Sequence, residues 1–103
     1  MLRRKHDVIL TIGHNVNGTP TLARKQITTE ALKALSIDGL TAYGCTGYWR
    51  GEAEESTRIE ICAVSAREAR RIRNAIPALA KRLGQVEIMV QITPSHTRFV
   101  KAA

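Results

Sequence analysis

The chain has 103 residues, 44% of them hydrophobic and 24% charged, with 16 Lys and Arg against 9 Asp and Glu, for a formal net charge of +7. That length holds one hydrophobic core rather than two, so a single domain over residues 1–103 is expected, and the balance of apolar and charged residues excludes a disordered segment. No apolar run reaches the roughly 20 residues of a membrane-spanning helix, and two cysteines are too few for a disulfide scaffold, so reduced thiols are expected.

A basic arm over residues 1–6, with Arg3, Arg4 and Lys5, opens the chain. Basic residues ahead of an apolar stretch invite comparison with a secretory signal. Asp7, Gly13, His14 and Asn15 interrupt the stretch too early, and the cytoplasm is the expected compartment. In residues 7–12, Val8, Leu10 and Ile12 share one face and Ile9 and Thr11 the other, which predicts a central strand buried on both sides. Residues 13–20 are dense in turn formers, Asn17-Gly18 among them, and read as a loop. Thr21 is the expected N-cap of a helix over about residues 22–35, with Ala23, Ile27, Ala31, Ala34 and Leu35 on its apolar face and Asp38-Gly39 as its break.

Residues 39–50 and 57–64 follow as a hairpin whose turn centres on Ala53 and Glu54, inside the acidic run GEAEES. That turn sets Trp49 opposite Arg58 and Cys45 opposite Cys62 on the more open face, whereas a one-residue change of loop sends Trp49 into the core. Tyr48 and Trp49 are therefore candidates for core packing or for a subunit interface. Ile59, Ile61 and Ala63 alternate with Arg58, Glu60 and Cys62 along the second strand.

Ser65 and Glu68 form a capping box that opens a second helix. Ala69, Ile72, Ile76, Leu79, Ala80 and Leu83 line its buried face, Pro77 kinks or splits it near Ile76, and Gly84 closes it. Residues 86–92 alternate as a last strand with Val86, Ile88, Val90 and Ile92 inward. Pro94 ends that strand, and residues 94–103 form a polar tail with Phe99 and Val100 as its anchor. Strand, helix, strand, strand, helix, strand is the order of an α+β, ferredoxin-like fold: a four-stranded antiparallel sheet with both helices on one face. The open face favours assembly into a dimer or trimer.

Within that order, GLT at 39–41, GYWR at 47–50 and RIEI at 58–61 resemble the second and third strands of the PII signalling proteins. YWRGEAEES at 48–56 is similar to the tryptophan-containing hairpin of the CutA divalent-cation tolerance proteins. The resemblance is to the PII-like superfamily, and it implies a trimer whose sheets pack about a threefold axis, with ligand or metal-ion sites in clefts between subunits. Two places depart from the pattern. About six residues, 51–56, stand where PII proteins carry a long partner-binding loop, and Leu83-Gly84-Gln85 replaces their glycine-rich phosphate loop. Nucleotide binding in the PII manner is not expected, and no cofactor is.

Two groups of side chains are candidate sites. His14, Asn15, Trp49, Arg50, Glu55 and Arg58 are expected at one end of the sheet, where they suit a small anion or, through His14 with Glu52, Glu54 or Glu55, a divalent ion. The competing reading is a capped strand end beside a solvated acidic turn. Arg67, Arg70, Arg71 and Arg73, with Lys81 and Arg82 beyond the proline, give the second helix a basic face suited to nucleic acid or an acidic protein, or simply to water. RIEICAV carries no aromatic pair for base stacking. No nucleophile stands beside a base, and Ser95-His96 and His6 are isolated. The expected function is a non-catalytic binding or regulatory domain that assembles through its sheet face. The alternative is a basic protein that binds nucleic acid or a nucleoprotein complex, a phage-encoded inhibitor included.

Overall fold

In the computed structural model, which describes residues 4–103, the elements are β1 (Lys5–Gly13), β2 (Asn15–Val16), β3 (Thr19–Pro20), α1 (Arg24–Leu35), β4 (Thr41–Trp49), β5 (Glu52–Ser65), α2 (Ala66–Arg82) and β6 (Met89–Ser95). Strands pair antiparallel in the order β4-β5-β1-β6, and β2 with β3 make a small side hairpin. This is the ferredoxin-like arrangement that the order of apolar patterns predicts.

Alternation along β1 and β5 puts Val8, Leu10, Ile12, Ile59 and Ile61 on one face, against Ile27, Ala31 and Leu35 of α1 and Ala69, Ile72, Ile76 and Leu79 of α2. All are buried, and each large aliphatic side chain so enclosed contributes about 1.5–3 kcal/mol. The opposite face carries no helix. Ile9 and Thr11 there are only half-buried, so β1 is buried on one side and not on both. No helix among the described residues is long and apolar enough to cross a membrane.

Several elements begin or end elsewhere than the sequence predicts. Residues 1–3 of the expected basic arm lie outside the described residues, while Lys5 and His6 belong to β1. The loop over residues 13–20 contains the β2-β3 hairpin, turning at Asn17 (φ 51) and Gly18 (φ 78). Thr21 does not cap α1: its amide and that of Leu22 both donate to the His14 carbonyl, which ties that segment to the side hairpin. Ala23 is the N-cap and makes no side-chain capping bond. Termination comes at Ser36 (φ 50), before Asp38-Gly39.

At the other helix the Ser65 hydroxyl accepts from the Glu68 amide at 3.0 Å, as the capping pattern requires. Pro77 does not split α2, which runs unbroken to Arg82. Gly84 (φ 64) then closes it, with the Gln85 amide donating to the Ala80 carbonyl. The last strand starts three residues later than the alternation implies and runs through Pro94, which an edge strand tolerates. Val86 is consequently fully exposed rather than inward, and Ile92 is exposed at 37%. Phe99 and Val100 are 86% and 88% exposed, so neither anchors the tail in the core.

Candidate functional site

The β4-β5 hairpin turns on Arg50 (φ 50) and Gly51 (φ 81), a two-residue turn with both central residues left-handed, as the twist of paired strands demands. Trp49 therefore faces Glu52, and Cys45 faces Ser56, in place of the predicted Arg58 and Cys62. The acidic run is strand, not turn. Because the displacement is an even number of residues, Trp49 and Cys45 stay on the open face, but Trp49 moves to the tip and Tyr43 takes its place opposite Arg58.

The pairs from Thr46↔Glu55 to Trp49↔Glu52 project beyond the end of β1 at Gly13. At the tip Tyr48 and Trp49 are each 74% exposed, so neither packs in the core. Directly opposed residues share a face, which sets the open side out in rows. From the tip inward they are Trp49 with Glu52, Gly47 with Glu54, then Cys45, Ser56 and Gly13, then Tyr43, Arg58, Thr11 and Met89. The middle of this series holds only small side chains.

The space above them is a groove of about 770 Å³ between the hairpin tip, the β2-β3 turn and the segment from Gly84 to Met89. Its charged lining is Arg50, Glu52, Glu54 and Glu87: three carboxylates and one cation, on a chain with an excess of seven positive charges. Glu54 is fixed in place, since its Oε2 accepts from the Asn15 amide at 2.9 Å. Gly13 makes that possible, because a Cβ there would overlap the Glu54 carboxylate. The Arg50 guanidinium lies 5.6 Å from the Trp49 ring centroid, within the range at which an aromatic face attracts a cation.

Solved structures share this fold. A phage SAM lyase in complex with S-methyl-5'-thioadenosine superposes with a TM-score of 0.77 at 15% identity, over 91% of this chain and 84% of that one. Its apo state gives 0.76 at 18% identity, over 91% and 86%. A DUF3240 family protein from Shewanella baltica OS155 gives 0.65 at 14% identity, over 95% and 98%. No protein-family model and no curated protein matches the sequence. At these identities the likeness is one of fold.

The six residues expected at one end of the sheet are divided among four places. Trp49, Arg50 and Asn15 line the groove. His14 is tied up beside it: its Nε2 lies 2.8 Å from Thr57 Oγ1, its amide donates to the Glu55 carbonyl, and its own carbonyl accepts two amides. Glu55 points to the helix side, accepting from the Thr46 hydroxyl at 2.9 Å. Arg58 stands in mid-sheet, six residues along the face from the position predicted for it. Among the described residues no three His, Cys, Asp or Glu side chains gather as a metal-binding group.

The basic helix face is smaller than the sequence implies. Arg71 donates to the Leu35 carbonyl at 2.7 Å and pairs with Glu68, and Arg82 pairs with Glu30 at 2.6 Å, holding that carboxyl below its usual range. Arg67, Arg70, Arg73 and Lys81 remain exposed with no carboxylate within 4.0 Å among the described residues. Of the groove's carboxylates, Glu52 and Glu54 are among those the sequence offers at this end of the sheet, and the two-residue Arg50-Gly51 turn fixes their register; Glu87, from the segment after α2, joins them only in the fold.

Proposed function

We propose that this chain is a small-ligand binding domain that works as a homo-oligomer, and that its ligand is a nucleoside bearing a positive charge, of the S-adenosylmethionine class. The observation that carries the reading is the charge of the groove. A protein of net charge +7 has placed Glu52, Glu54 and Glu87 around one concavity and an exposed indole at its rim. A sulfonium centre is attracted both by carboxylates and by the face of a tryptophan, while a flat base stacks on aromatic or apolar walls. Arg50 already holds a cation over the Trp49 ring.

The likeness in fold to a phage SAM lyase in complex with S-methyl-5'-thioadenosine supports the choice of nucleoside. The PII-like resemblance supports the oligomer, because it implies ligand clefts completed by a neighbouring subunit. The projecting hairpin, exposed on both faces at Tyr48 and Trp49, supplies surface for such a neighbour.

Calorimetric titration with S-adenosylmethionine tests the reading. Saturable binding to the wild-type protein is expected, with affinity at least tenfold weaker in Glu54→Gln, a loss of about 1.4 kcal/mol. Chromatography of the same mixture reads whether S-methyl-5'-thioadenosine is released, which separates a binding domain from an enzyme that cleaves its ligand. Absence of binding at millimolar nucleoside contradicts the proposal.

A further inference from the structure

The two edges of the sheet differ. β6 includes Pro94, which has no amide to offer and blunts that edge against further pairing. β4 carries neither a proline nor a charged residue from Thr41 to Trp49, although the whole chain has an excess of seven positive charges. Among the described residues β4 pairs with β5 alone, and no other backbone hydrogen bond reaches it.

The hairpin turn decides which groups are left over. A two-residue turn makes Trp49 and Glu52 exchange backbone hydrogen bonds, and antiparallel alternation then directs the amides and carbonyls of Ala42, Gly44, Thr46 and Tyr48 away from β5. The Glu55 carbonyl agrees with this, since it accepts the His14 amide on the β1 side rather than facing Thr46. Those four residues lie symmetrically about Cys45, the middle of the strand. Laid antiparallel against itself, β4 matches Ala42 with Tyr48 and Gly44 with Thr46 of a second copy, and each outward group meets a partner.

The charges fit that register. Arg24 of α1 lies over Gly44, its Nη1 3.5 Å from where a Cβ would stand, and it has no carboxylate within 4.0 Å among the described residues. Opposite Gly44 comes Thr46 of the second copy, about 5.5 Å away between Cα atoms. The hydroxyl of Thr46 donates to Glu55 Oε1 at 2.9 Å, so the register sets Arg24 of each copy beside Glu55 of the other. It also brings the exposed Trp49 to Thr41 of the second copy, which lines a cavity with Leu40 and the exposed Phe99.

We propose that β4 pairs antiparallel with β4 of a second copy about a twofold axis at Cys45, joining two four-stranded sheets into one. This rests on the reading of the chain as a homo-oligomer and fixes its number and its contact; it does not depend on the ligand. Each groove is then bordered, beyond Trp49, by Thr41 of the other copy.

Sedimentation equilibrium of the full chain reads this, with twice the 11.4 kDa of one chain expected for wild type. Thr46→Pro is expected to be monomeric, because the amide it removes points away from β5. Arg24→Glu is expected to weaken association at least tenfold, and Arg24→Glu with Glu55→Arg to restore it, which keeps the test decisive if the proline variant does not fold. Diamide, the oxidant, is expected to cross-link Cys62→Ser through Cys45 into a disulfide-bonded dimer. A missing cross-link overturns the register centred on Cys45. A trimer mass, or a dimer that both Thr46→Pro and Arg24→Glu leave intact, overturns the β4 contact and leaves the homo-oligomer reading standing. A monomeric wild type overturns both.

Discussion

Ala63 holds a left-handed backbone (φ 59), a conformation that crowds the Cβ of an L residue. Its cause is a bulge: between the pairs His6↔Val64 and Val8↔Ile61, β5 has one residue more than β1. Asp7 secures the bulge by accepting from the Ala63 amide at 3.0 Å. Ala63→Gly is expected to stabilise the protein by about 1 kcal/mol in thermal or urea denaturation, since the strain on the folded side outweighs the added freedom of the unfolded chain. A loss of stability would show that the bulge imposes no strain. The neighbouring Cys62 thiol is pushed up by burial and by Asp7 and Glu60, so at pH 8 it is alkylated more slowly than a free thiol, and Asp7→Asn speeds the reaction. The alternation of Ile59, Ile61 and Ala63 was readable in the sequence up to this point, but not the bulge, because a lone alanine carries no mark of a left-handed position.

At the scale of elements, the end of α1 is finished by the other helix. Arg71 of α2 donates to the Leu35 and Ser36 carbonyls, groups that a helix C-terminus otherwise leaves without partners. Arg71→Ala is expected to cost about 1–2 kcal/mol, and Arg70→Ala less than about 0.5, which paired denaturation curves would separate. Both apolar helix stripes were legible, since three- and four-residue spacing admits no other burial. The hairpin was not. Arg at the first position of a left-handed turn is unusual, and the charged run after it looks more like a turn than Arg50-Gly51 does. The start of β6 was hidden for another reason. Val86 and Ile88 alternate like strand residues, but β1 pairs with β6 only as far as Thr11↔Met89, beyond which its chain turns towards β5 and the side hairpin.

The molecule as a whole is elongated, 48 by 28 by 24 Å, and one of its sheet faces has no helix on it. Which face would be open followed from the sequence; that the groove on it would be acidic did not, because its carboxylates meet only after the chain has folded. If the open face and projecting hairpin join copies of this chain, light scattering will give two or three times the 11.4 kDa of one chain, and a monomer mass would leave the hairpin solvated. The charge of the groove is tested most directly by the fluorescence of Trp49, the single tryptophan of the chain, during titration with S-adenosylmethionine and with S-adenosylhomocysteine, which lacks the methyl group and the sulfonium charge. At least tenfold tighter binding of the charged nucleoside, diminishing with salt, is the predicted result; equal affinities, or an unchanged emission with both, would contradict it.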